Sequence, residues 1–210
     1  MAVIDHLVLA VADLDVAIDD FEREHGVRPA TGGRHEGLGT HNALVSFGAS
    51  YLELIAPDPS QPDPDGARPF GVDVVDEPTV VTFAVRPDVA SRETIESLVS
   101  SCRSVGHDPG TIVAMSRRAP HGELLDWRLT LPTMTHDGLV PFLIDWGDTV
   151  NPAASAPGGL SLASLSGGTG EPAEVNAVLR ALALTEFAQP LGCHSPGLRA
   201  EFRPHPAAAR

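Results

Sequence analysis

The sequence is poor in cysteine, in aromatic residues and in positive charge, and it has no long hydrophobic run. Its two cysteines, Cys102 and Cys193, make no CxxC pair. That excludes a disulfide framework, fits a reducing compartment, and leaves both thiols as buried or inert groups. Lys and Arg together number 14 against 28 Asp and Glu, a formal charge of −14. A field of that sign repels nucleic acid and anionic membrane surfaces, so neither is an expected partner, and the excess acid reads as a solubility feature. No apolar stretch reaches the roughly 18 residues that a membrane span needs. The N-terminus lacks a basic, apolar, small-residue leader, so a cytoplasmic location is expected. A Ser-His-Asp arrangement, a P-loop and a dinucleotide fingerprint are all missing.

What is present is an ordinary globular composition, 210 residues with 42% hydrophobic and 20% charged, long enough to bury a substantial core. Val3 to Val11 reads as a nearly continuous apolar strand. Asp13 then offers an N-cap, and Leu14, Ala17, Ile18 and Phe21 recur at helical spacing up to Gly26, a helix stop. A weaker extended piece over Val27–Arg34 and two β-rich runs in "ALVSFGASYLELIAP", joined at Gly48-Ala49-Ser50, complete the order β-α-β-β-β by Pro57. Residues 58–78, rich in proline and aspartate, read as an exposed connection. "TVVTFAVRP" opens the same order again, with a helix from Ser91 or Thr94 to Gly106 and β-rich runs in "TIVAMSRRAP", "LLDWRLTLPT" and "VPFLIDWGD". From this order we expect an α+β protein: two βαβββ modules, 1–57 and 79–150, forming one curved, cupped mixed sheet with helices packed outside. An α/β extension, 151–210, packs on the outside of the modules, and Pro204 to Arg210 fray.

Several polar residues stand out against this apolar pattern. His6 lies inside the first strand, where an imidazole needs a hydrogen-bond partner, a proton or a metal, since an unsatisfied buried polar group costs about 1–3 kcal/mol. A satisfied core histidine meets that need as well as a functional one. Glu53 interrupts "YLELIA", where a buried carboxylate must be paired or metal-bound unless its face meets water. "GGRHEGLGTHN" sets His35, Thr40, His41 and Asn42 among four glycines, which let the backbone approach a ligand closely. Alternation puts Thr40 and Asn42 on one face and His41 on the other. Trp127 and Arg128, with Asp145 and Trp146, offer an aromatic wall and a charge for a planar or anionic ligand, or a core tryptophan beside an exposed arginine. Arg117-Arg118, His121 and His136 read as solvated surface groups.

"IDHLVLAVADLDVAIDDFEREHGV", "GGRHEGLGTHNALVSFG", "YLELIAP" and "LVPFLIDWGD" together resemble the glyoxalase-like branch of the vicinal oxygen chelate superfamily, over most of residues 1–150. The resemblance implies a U-shaped cleft between the modules, in which a divalent metal is held from the first and fourth strands of each. Carried over, His6 and Glu53 are the metal ligands, and Zn, Mn, Fe or Ni suits that pair. The second module departs from the pattern: Thr79 to Arg86 holds no His, Glu or Gln, and Asp145 is the one carboxylate near its fourth position. The expected function is an enzyme acting on a small oxygenated organic molecule, by isomerase, lyase or dioxygenase chemistry. Its catalytic groups are Glu53 and His6, with Thr40 or Asn42 stabilising an oxyanion. His35, His41, Arg128, Asp145 and Trp146 bind substrate. The alternative is a module that sequesters a small molecule without turnover. Both modules lie in one chain, so a monomer is as compatible as a homodimer.

Overall fold

The computed structural model of the chain describes residues 1–118, 122, 124–132, 135–184 and 196–205. Strand β1 (Ala2–Ala10) leads into helix α1 (Leu14–His25), and strands β2 (Ala30–His35), β3 (Thr40–Ser46) and β4 (Tyr51–Pro57) follow. Asp13 accepts the Val16 N–H at 3.0 Å, and Gly26 ends the helix at φ +72°, a conformation that glycine adopts without strain. The second half repeats the order with β5 (Thr79–Pro87), α2 (Ile95–Ser104), β6 (Ile112–Arg118), β7 (Leu124–Thr130) and β8 (Phe142–Asp145). Thr94 and Ser97 close a capping box at the start of α2.

All eight of these strands join one mixed sheet in the order β2-β3-β4-β1-β5-β8-β7-β6. Each half has the same internal pairing: β1 runs parallel to β4, and β5 runs parallel to β8. The halves meet where β1 and β5 pair antiparallel. The sheet curls until its two edges approach: Arg117 on β6 donates from Nη1 to the Gly32 carbonyl on β2 at 2.9 Å. Alternation along the strands then sorts the side chains. Leu7, Leu52, Leu54, Phe83, Val85 and Leu143 pack outward, under Leu14, Ile18 and Phe21 of α1 and Ile95, Leu98 and Cys102 of α2. Val8, Leu44, Tyr51, Ile55, Phe142, Ile144 and Trp146 pack inward.

The C-terminal extension supplies β9 (Leu160–Gly168), α3 (Pro172–Ala181) and β10 (Gly197–Pro204). β9 and β10 form a separate two-stranded sheet, and Leu160, Leu165, Val175, Leu179 and Leu198 join the outer core. Pro204 pairs with Leu160, and His205 donates to the Gly159 carbonyl at 2.7 Å, so these two residues extend the ladder and are not frayed. The connection 58–78 also differs from a simple exposed link. Asp58 and Val72 are buried, Phe70 packs against the inner cluster, and Arg68 is tied to Asp63, Asp73 and the Gly39 carbonyl. Apolar residues spaced among the prolines give this segment a side to bury. Cys193 and His121 lie outside the described residues.

A candidate active site in the cleft

The inner face of the curled sheet encloses a cavity of about 320 Å³. One end is polar, lined by His6, His35, Asn42, Glu53 and Arg117. The other is apolar, lined by Trp127, Leu129, Phe142, Ile144 and Trp146, with Phe70 of the connection at its wall. The two ends come from the two halves of the sheet, apart from Arg117, which β6 brings across from the second half.

His6 is oriented by an irregularity in β1. The register against β5 shifts between Ile4 and His6, so Asp5 is an extra residue in the ladder. A bulge of this kind re-aims side chains. Asp5 is fully buried, and its Oδ1 meets His6 Nδ1 at 2.7 Å. The same carboxylate accepts from Trp146 Nε1 at 3.2 Å and Asn151 Nδ2 at 2.7 Å, and Arg86 Nε stands 3.1 Å away. Since a carboxylate only accepts, Nδ1 of His6 carries a proton. His6 Nε2 is left facing Glu53 Oε2 at 3.6 Å, and the ring is stacked on Tyr51 at 4.7 Å. Burial, with the charges of Asp5 and Glu53, holds the Tyr51 hydroxyl well above its ordinary range, so it stays protonated.

Glu53 is held from the opposite side by residues of the glycine-rich segment. Asn42 donates from Nδ2 to Glu53 Oε1 at 2.6 Å, while its Oδ1 accepts the Gly33 N–H at 2.9 Å, which fixes the amide orientation. The same Nδ2 stands 3.3 Å from His35 Nε2, so that nitrogen must accept and His35 donates from Nδ1 to Thr40 Oγ1 at 3.0 Å. His35 Nε2 lies 3.7 Å from Glu53 Oε1. Burial lowers the His35 pKa. The charge of Glu53 opposes that shift, while Arg117, His41 and His6 add to it. The glycines are there for space: a Cβ on Gly32 would lie 2.2 Å from Asn42 Oδ1, and one on Gly33 would lie 2.7 Å from Arg117 Nη1.

The cleft therefore gathers His6, His35, Asn42, Glu53, Trp127 and Trp146 from the residues singled out in the sequence. Thr40 is fully buried behind His35 and does not line the cavity. His41 points to the other face of β3, into a separate polar hollow with Asp58 and Arg68. Arg128 and Asp145 pair with each other on the outer face, where Arg128 also reaches Glu96 of α2 at 2.6 Å. Neither lines the cleft. On β7 and β8 it is Trp127, Leu129, Ile144 and Trp146 that turn inward. Three contributors were missed in the sequence. Asp5 sits beside His6, where strict alternation assigns it to the opposite face. Tyr51 begins the run that contains Glu53. Arg117 is the inward member of the Arg117-Arg118 pair, while Arg118 is exposed and binds the Gly122 carbonyl.

The donor chemistry fits a divalent ion on the first half's side only. Two imidazole nitrogens flank one carboxylate, and the far nitrogen of His6 rests on a buried carboxylate, as metal-binding imidazoles commonly do. On the second half, Ala84 pairs with His6 in the ladder and Phe142 and Ile144 face inward, so that half offers hydrocarbon where further ligands would stand. His6, His35 and Glu53 do not close to within 4.8 Å of one another; among the described residues, His136, Glu171 and Glu174 do. That second cluster lies away from the cleft, with both glutamates exposed and His136 half-buried against Glu171.

A family model described as the glyoxalase-like domain matches residues 4–183. No curated protein matches the sequence. Among solved structures, a hypothetical protein from Staphylococcus aureus is similar at a TM-score of 0.60 and 15% identity, covering 87% of this chain and 75% of that one. Methylmalonyl-CoA epimerase from Mycobacterium tuberculosis is similar at a TM-score of 0.41 and 22% identity, covering 67% of this chain and 84% of that one. A variant of the Streptomyces coelicolor epimerase, in complex with 2-nitronate-propionyl-CoA, is similar at a TM-score of 0.44 and 20% identity, covering 71% and 98%. With the family model spanning most of its length and both modules folded into one cupped sheet, the chain belongs to the glyoxalase-like domain family.

Proposed function

We propose that the cleft is an active site for proton transfer at a carbon next to a carbonyl, in a small oxygenated organic substrate, with Glu53 as the base. The observation that supports this most is the setting of Glu53: a buried carboxylate facing an open cleft, oriented by Asn42 at 2.6 Å and flanked by His6 at 3.6 Å. Glu53 takes the proton, the C–H electron pair moves onto the carbonyl oxygen, and the enolate is protonated again at carbon or on the neighbouring oxygen. Arg117 is the cation at the same polar end, where its charge favours an anionic substrate beside Glu53. Glu53 passes that proton to His6 Nε2, which faces it at 3.6 Å, and the resulting imidazolium, stabilised by Asp5, returns it to the enolate. Asn42 and Thr40 position Glu53 and His35.

The same donors, His6 and Glu53 with His35 alongside, would hold a divalent ion such as Zn, Mn, Fe or Ni, which when bound would supply polarisation of a carbonyl oxygen. Glu53 cannot serve one site as both free base and ligand. One assay separates the two uses: small enolisable oxo acids are incubated with the protein in D2O and exchange at carbon is followed by NMR. As a free base, Glu53 supports exchange that survives chelation and is lost in Glu53→Gln. Exchange that disappears on chelation and returns with added metal assigns Glu53 to the ion instead. No exchange with any such acid contradicts the reading. The hydrocarbon lining of the second half favours a second reading, sequestration of a small hydrophobic molecule, and that reading predicts tight binding with no exchange at all.

A further inference from the structure

We infer that the cleft takes a small carboxylate with an aromatic body, its carboxylate on Arg117 and its ring against Trp127 and Trp146. The inference rests on the cleft being the working site and adds the class of molecule that fits it.

Arg117 differs from several other arginines of the fold. Arg68, Arg86 and Arg128 each hold a carboxylate within 4 Å. Arg117, among the described residues, has no carboxylate at that distance and spends one N–H on the Gly32 carbonyl. A guanidinium carries five donors in a rigid fork. A half-buried one, in a chain of net charge −14, leaves most of that fork unspent in a cavity. The fork matches a carboxylate bidentately, and the charge permits a second anion beside Glu53. Burial lowers the Arg117 pKa while Glu53 and Tyr51 oppose the shift, and a guanidinium remains a cation in a protein.

The aromatic wall lies on the same second half. Trp127 and Trp146 have ring centroids 5.4 Å apart with planes at 42°. Trp146 is nearly buried and cannot swing freely, because its Nε1–H is committed to Asp5. Two indoles meeting at an angle offer a planar guest one face and one edge, as aromatic pairs prefer. A volume of about 320 Å³ sits at the small end of ordinary ligand cavities, which suits a molecule of one ring and a short acid chain. Such a chain, anchored at both ends, passes Glu53.

The test uses 3-phenylpropionate, 3-phenylpropanamide and propionate as probes, titrated calorimetrically into the full chain. The wild type binds 3-phenylpropionate and discriminates against the uncharged amide and against ring-less propionate by roughly tenfold or more each. Arg117→Gln removes the acid-over-amide preference. Arg117→Lys, which keeps the charge and loses the fork, recovers part of it. Trp127→Ala removes the preference for the ring. Equal binding of acid and amide by the wild type, or no binding of 3-phenylpropionate, overturns the inference and needs no variant to fold. Glu53→Gln keeps acid binding, since the base is not the anchor. Exchange of an oxo acid that is indifferent to Arg117 therefore sinks this inference and spares the proton-transfer reading. Acid binding through Arg117 without any exchange does the reverse.

Discussion

Asp5 and His6 are adjacent in the chain, yet the carboxylate of the first meets the imidazole of the second at 2.7 Å inside the core of the sheet. A regular strand would send them to opposite faces. The shift of register between Ile4 and His6 is what allows the contact, and it makes Asp5 the hub that ties His6, Trp146, Asn151 and Arg86 together.

Removing that hub takes the carboxylate from a half-buried guanidinium and two hydrogen-bond donors. Asp5→Ala strands the Arg86 guanidinium and orphans the Trp146 and Asn151 donors, so the expected loss is about 3–5 kcal/mol, measured by urea unfolding. Asp5→Asn keeps the shape and costs less. A loss within error for Asp5→Ala would contradict the central place given to this carboxylate.

The glycine-rich segment gives a second prediction. In Gly32→Ala the new methyl lies 2.2 Å from Asn42 Oδ1, and the Asn42 amide, pinned between the Gly33 N–H and Glu53, has to give way. The substitution is expected to cost about 1–3 kcal/mol, as overpacking does, and to depress deuterium exchange through the loss of the Asn42 to Glu53 bond. Gly66→Ala, with nothing among the described residues within 4 Å of the added carbon, is the control and leaves both unchanged.

Stability should also depend on pH through His35. Its folded pKa is lowered, chiefly by burial, so the unfolded chain binds the proton more readily. The contribution of the neutral ring is fully present above the unfolded value, about 6.5, and is lost as pH falls below it towards the folded value. Asp58 acts in a lower window: burial works against its ionisation, but hydrogen bonds from Ser60 and Gln61 hold its pKa down at about 2. Its stabilisation is lost as pH falls from the ordinary carboxylate value of 3.8 towards that figure. Thermal melts of wild type and His35→Gln from about pH 7.5 to 5 check the first effect. Parallel curves would refute it.

Burial pushes the Cys102 thiol up to about 11, which leaves little thiolate at neutral pH. Iodoacetamide should spare the Cys102 peptide in the native protein and label it in urea. Native labelling, read by peptide mass mapping, would contradict the packing of α2 on the sheet.

Much of the fold is legible in the sequence because its signals are local. Asp13 and Gly26 mark the ends of α1, Thr94 marks the start of α2, and the two modules show in the repeated element order. His6 and Glu53 meet because their strands pair in register and each sits on an inward position. The facing of β7 and β8 was not legible, since aromatic and charged residues alternate there and either set could line a cleft. The helices decide it: α2 brings Glu96 to Arg128 outside, which turns the tryptophans in. Arg117 hides in a pair of arginines of which only one faces the cavity. The bulge at Asp5 has no local signal in the sequence. It appears only where β1 meets β5, a pairing between residues some eighty positions apart.

The central claim is that Glu53 lies between two imidazoles, each tied from behind through Nδ1, His6 to Asp5 and His35 to Thr40. Long-range nitrogen–proton NMR of the ring nitrogens at neutral pH tests it without any substrate. The account predicts a proton on Nδ1 of both rings and a bare Nε2 on His35. A bare Nδ1 with the proton on Nε2, in either ring, would contradict it.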